Sequence, residues 1–94
     1  MANGQSKAAY IIICSGRIDV EVAANSKQKI KAASDAARNL VTFYGDQVTG
    51  AETAPISDLQ HEMMDNMNTW SKSQADAKVA EMFDLLDALE DAHS

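Results

Sequence analysis

Residues 8–14, Ala-Ala-Tyr-Ile-Ile-Ile-Cys, form an apolar run, succeeded by Ser15-Gly16 and by strict alternation in Arg17-Ile18-Asp19-Val20-Glu21-Val22. This feature constrains the fold most. An apolar run with almost no polar interruption reads as a strand buried on both faces. Gly16 can supply the positive φ of a tight two-residue turn. The alternation then sends Ile18, Val20 and Val22 inward and Arg17, Asp19 and Glu21 outward. The pattern predicts a β-hairpin over residues 8–24, preceded by a flexible polar start at 1–7.

The rest of the chain reads as helical. Asn25 or Ser26 can cap a helix over 26–44, where Ile30, Ala33, Ala37, Leu40 or Val41, and Tyr44 recur at spacings of three and four and Gly45 stands at the C′ position. Residues 45–56 hold two glycines and the only proline, which predicts a loop, with Gln47-Val48-Thr49 as a short third strand. A second helix is expected over 57–71, with Leu59, Met63, Met67 and Trp70 on one face. The apolar stripe Val79, Met82, Leu86, Leu89 points away from the direction set by Trp70. The chain is therefore expected to break at Ser71-Lys72-Ser73, with Ser73 and Asp76 as a capping box and a last helix over 73–92. The fold class expected from these elements is α+β: a hairpin packed by one helix, then an acidic helical hairpin.

A chain of 94 residues makes one domain and buries roughly 60–65% of its unfolded surface. That leaves little for a deep, dry cavity. Cys14 is the only cysteine, so no intramolecular disulfide can form and a reducing compartment fits. Seven apolar residues cannot span a bilayer. Position 2 is Ala rather than the Gly of a myristoylation signal. A cytoplasmic protein with no membrane partner is the expectation.

Charge is unevenly placed. Residues 1–45 hold six basic and three acidic residues, a net +3; residues 46–94 hold two lysines and eleven acids, a net −9; together they give −6. Such asymmetry can steer a charged partner. On the last helix Asp76, Asp84, Asp87 and Asp91, flanked by Glu90, are expected to form a carboxylate stripe opposite the apolar face. Glu90 and Asp91 lie at a helix C-terminus, where negative charge opposes the macrodipole. A row of carboxylates can imitate a phosphate backbone and occupy a Lys- and Arg-lined groove built for nucleic acid. Direct nucleic-acid binding is not expected, because the basic residues have no stacking aromatics among them.

Nothing in the sequence marks a catalytic centre. His61 sits beside Glu62 without an HExxH pattern, His93 is near the end, and no carboxylate loop has EF-hand spacing, so no metal is expected. Cys14 has no base beside it and reads as a small hydrophobe ending a strand. The glycines form no phosphate loop, and no cofactor is implied. Met63, Met64, Met67, Trp70, Met82 and Phe83 gather adaptable apolar volume in the helical half. Met64, off the main stripe, and Trp70 are the candidates for apolar docking. A two-stranded sheet also leaves an edge able to pair.

Lys7-Ala8-Ala9-Tyr10-Ile11-Ile12 and the strand-to-helix passage after it resemble the opening of a type I-F anti-CRISPR family of small phage-encoded inhibitors. The resemblance covers the first third of the chain. It implies a stoichiometric inhibitor in the host cytoplasm, occupying the basic nucleic-acid-binding surface of a bacterial defence complex. The alternative expectation is a bacterial accessory or assembly subunit acting as a homodimer through Met-rich helices or strand pairing.

Overall fold

The computed structural model describes residues 4–94, with side chains from Lys7 onward. It contains four α-helices: α1 (Gly4–Val22), α2 (Ser26–Tyr44), α3 (Gly50–Asn66) and α4 (Lys72–Ala92), with a short 3₁₀ turn at Gly45–Gln47 after α2. No strand occurs among the described residues, so the fold is a helical bundle and the α+β expectation is corrected. Residues 8–22 of the expected hairpin belong to one helix, as do residues 4–7 of the expected flexible start; residues 1–3 of that start lie outside the described residues. The strand at 47–49 is absent.

The physical reason lies in a second period hidden in the same residues. Ala9, Ile13, Gly16 and Val20 recur at four, three and four, which is a helical stripe. Ala9, Ile13 and Gly16 are buried and Val20 half-buried. Ile and Val are weak helix formers, so packing of this stripe, rather than local preference, holds α1. Gly16 is not a turn residue. A Cβ on Gly16 would stand 2.5 Å from Ala36 Cβ and 3.2 Å from the Phe83 ring, so its missing side chain lets α1 lie close on α2 and α4. The one positive-φ glycine among the described residues is Gly45, at φ 54°, closing α2.

α2 is the centre of the molecule and touches each of the other three helices, whereas α1 and α3 do not meet. That position accounts for its small buried residues Ala33, Ser34, Ala36 and Ala37 between Ile30 and Leu40. The Ser34 hydroxyl and carbonyl accept hydrogen bonds from Gln60 Nε2 at 3.2 and 3.1 Å, which ties α3 to α2 and satisfies a buried polar group. The reversal between α1 and α2 is short: the Asn25 side chain caps α2 by accepting from Gln28 N–H at 2.9 Å, while Ala24 N–H donates to Gln28 Oε1.

The expected loop at 45–56 is also corrected. Thr49 and Glu52 form a capping box: Thr49 Oγ1 accepts from Glu52 N–H at 3.1 Å and Glu52 Oε1 accepts from Thr49 N–H at 2.9 Å. α3 therefore begins at Gly50 and runs through Pro55, which forgoes one helical hydrogen bond. The turn before α4 ends at Ser71, whose side chain caps Gln74 N–H. The box is Ser71 with Gln74, not Ser73 with Asp76.

Candidate association surfaces

Four helices leave three surface features that bear on function. The first is the outer side of α1. With Ala9, Ile13, Gly16 and Val20 turned inward, Tyr10, Ile11, Ile18 and Val22 are 59, 53, 59 and 76% exposed. Among the described residues, Met64 is the only other large hydrophobe in that class. Cys14 is half-exposed on the same side of α1, so it does not end a buried strand as expected. Its position puts it one helical turn from Tyr10, Ile11 and Ile18.

The second is the acidic side of α4. The stripe expected opposite the apolar face is divided. Asp87 pairs with Arg17 of α1, whose guanidinium also lies 4.9 Å from the Phe83 ring centroid. Asp76 accepts from Lys72 Nζ at 3.0 Å and from Lys29 Nζ of α2 at 3.4 Å. These bonds, that to Lys72 foremost, hold the Asp76 carboxyl below the usual aspartate range. Glu90 is half-buried, and burial, with Asp91 and Asp87 adding to it, pushes its pKa up. Asp84 and Asp91 stand exposed and form no salt bridge among the described residues. Two of the five stripe residues thus act as clamps between helices.

The third is a polar cluster joining the end of α4 to α2 and α3. His93 Nε2 lies 2.7 Å from Glu52 Oε2, and its ring centroid is 5.1 Å from that of Tyr44. Acceptance from the Thr49 N–H, and then the contact with His93, lower the Glu52 pKa. The Tyr44 hydroxyl is buried and has no hydrogen-bond partner among the described residues; burial, with Glu90 adding to it, raises its pKa. The visible work of the cluster is to fix the last turn of the chain.

Met64 is exposed beside Arg38, Gln60 and His61. Trp70 is half-buried against the core, with Lys78 Nζ 5.9 Å from its ring centroid. The two candidates for apolar docking therefore do not form one patch. Lys78 in turn pairs with Glu62 at 3.3 Å. An open groove of about 330 Å³ between α1, α2 and α4 is lined by Arg17, Val20, Glu21, Lys29, Asp76 and Phe83. Arg17, Lys29 and Asp76 are engaged with one another or with Asp87 and Lys72 at its rim, whereas Glu21 forms no salt bridge among the described residues. No group of three or more His, Cys, Asp or Glu side chains able to hold a metal occurs among the described residues. No helix among them is long and apolar enough to cross a membrane.

Sequence reasoning missed the exposed face of α1, although Ile11, Cys14, Ile18 and Val22 carry a helical spacing that could have revealed it. The alternation at 17–22 masked it. The anti-CRISPR resemblance loses its structural basis, because residues 7–22 contain no strand and no strand-to-helix passage. Compared with protein-family models, curated proteins and solved structures, the chain matches none, and the phage and anti-CRISPR assignments have no support.

Proposed function

We propose that this chain is a non-enzymatic protein-association module whose docking surface is the outer face of α1. One observation carries the reading: four large apolar side chains on one helix are each more than half exposed, while among the described residues the other helices together expose one. The largest exposed apolar patch on a small domain is often functional. The face is also physically separate from the packing that holds the fold, since the inner stripe of α1 already docks on α2 and α4. The test is binding by the full chain before and after Ile11→Glu with Ile18→Glu. Loss of the partner with unchanged helical circular dichroism supports the reading. Undiminished binding overturns it.

A second reading is favoured by the exposed, unbridged Asp84 and Asp91: a partner with a basic nucleic-acid-binding surface engages α4. Binding of that kind weakens at high salt, because exposed charges are screened, whereas apolar docking persists. Asp84→Lys with Asp91→Lys should then abolish binding, and an unchanged affinity would exclude this reading.

A further inference from the structure

We infer that the partner on the α1 face is a second copy of this chain, the two α1 helices running antiparallel about a two-fold axis near Cys14. This rests on the reading of α1 as a docking surface and names its occupant. Lys7, Ile11, Cys14, Ile18 and Glu21 repeat at four, three, four and three, the spacing of a coiled-coil seam. Val22 extends the apolar side of that seam.

The seam is self-complementary in shape. Ile11 and Ile18 stand one turn to either side of the small residues Cys14 and Ser15, so each copy offers ridges flanking a low saddle. It is self-complementary in charge as well. Lys7 lies seven residues before Cys14 and Glu21 seven after it, and both are exposed. Antiparallel pairing brings Lys7 of each copy to Glu21 of the other, twice. Parallel pairing would set Lys7 against Lys7 and Glu21 against Glu21. A closed two-fold dimer requires a single patch that fits itself, and the outer face of α1 has that property in both respects.

The charge pattern also separates a second copy from a basic partner. A basic partner would be drawn to an anionic surface, and the seam carries one cation and one anion with apolar residues between them. Most of the remaining carboxylates lie on α3 and α4, and Asp87, which does reach α1, is paired with Arg17. A helix of 19 residues is about 28 Å long. An interface one helix wide and of that length sits at the low end of specific interfaces, so dissociation in the micromolar range is expected.

Sedimentation equilibrium of the full chain over the micromolar range, at low salt, tests this with four variants. Wild type should dimerise and Ile18→Glu should be monomeric. Lys7→Glu and Glu21→Lys should each weaken the dimer by more than about tenfold, because each reversal places two like-charge contacts in the two-fold interface. The double variant Lys7→Glu/Glu21→Lys should recover wild-type association. Both charged positions are exposed, so these variants remain informative even if Ile18→Glu perturbs folding. In parallel, diamide should join two Cys14 thiols into an intermolecular disulfide, the reagent taking up the two electrons and two protons. A monomeric wild type overturns the second copy but leaves the α1 face open to another protein. A dimer that survives Ile18→Glu overturns both the second copy and the α1 reading. Charge reversals that act without recovery in the double variant overturn the antiparallel pairing.

Discussion

α1 and α2 are each 19 residues long and lie against one another, yet their apolar residues do different work. In α2 the apolar residues form one stripe, the polar residues another, and every large aliphatic side chain from Ile30 to Leu40 is buried. In α1 two apolar stripes coexist on opposite sides of one helix. The inner one, Ala9, Ile13, Gly16 and Val20, packs the fold; the outer one, Tyr10, Ile11, Ile18 and Val22, faces solvent. A helix that is apolar on two sides needs a second neighbour. The contrast teaches that hydrophobicity beyond what the core consumes is a functional signal.

The sharpest way to break that comparison is to make the same change on the two sides of α1. Ile13, 2% exposed, and Ile11, 53% exposed, are two residues apart. Ile13→Ala should cost about 2–4 kcal/mol by leaving a cavity. Ile11→Ala should stay within about 0.5 kcal/mol, as surface changes do. Chemical denaturation of dilute protein measures both, and equal losses would contradict two-sided packing.

Gly16→Ala comes next. Its Cβ would meet Ala36 Cβ, which has no rotamer to yield, so the helices must separate. A loss of about 1–3 kcal/mol is expected, against the gain of about 1 kcal/mol that alanine brings to an unhindered helix. A stabilised variant would show that α1 does not lie on α2 at this point.

The smallest effect concerns α4, where charge rather than apolar surface exceeds local need. Because the Glu90 pKa is raised in the fold, mainly by burial, the folded state holds the proton more tightly than the unfolded one. Glu90 therefore favours folding only below the ordinary glutamate value of about 4.3, and that contribution is lost as pH rises through the folded pKa. Glu90→Gln should stabilise the protein at pH 7 by a few tenths of a kcal/mol, the scale of an exposed charge at a helix C-terminus. The gain should vanish in acid. Thermal melts at the two pH values read the difference, and a destabilised variant at pH 7 would reverse the assigned sign.

α2 was legible because its pattern is unambiguous: the Asn25 cap, one apolar period and the Gly45 terminus all agree. α1 was not, since Arg17 to Val22 satisfies period two and the stripe through Ile13, Gly16 and Val20 satisfies the helical period at the same time. Only the neighbours α2 and α4 decide between them. Gly16 added to the error, because glycine marks both a turn and a close helix crossing. In the segment 45–56 the glycines and Pro55 outweighed Thr49-x-x-Glu52, a capping box visible in the sequence. Of the candidate site residues, Asp76, Asp84, Asp87, Glu90 and Asp91 could be assigned to one helix from spacing. Their division into clamps and exposed carboxylates depends on where Arg17 and Lys29 fall, which the spacing along α4 does not contain.

Ile18→Glu, measured by circular dichroism and a thermal melt on dilute protein, tests the outward apolar face of α1 most directly. The helical bundle predicts an unchanged helical spectrum and a melting free energy within about 0.5 kcal/mol of wild type, because the side chain already faces water. A chain that unfolds, as an inward-facing Ile18 in a hairpin would require once an unpaired charge is buried, would contradict it.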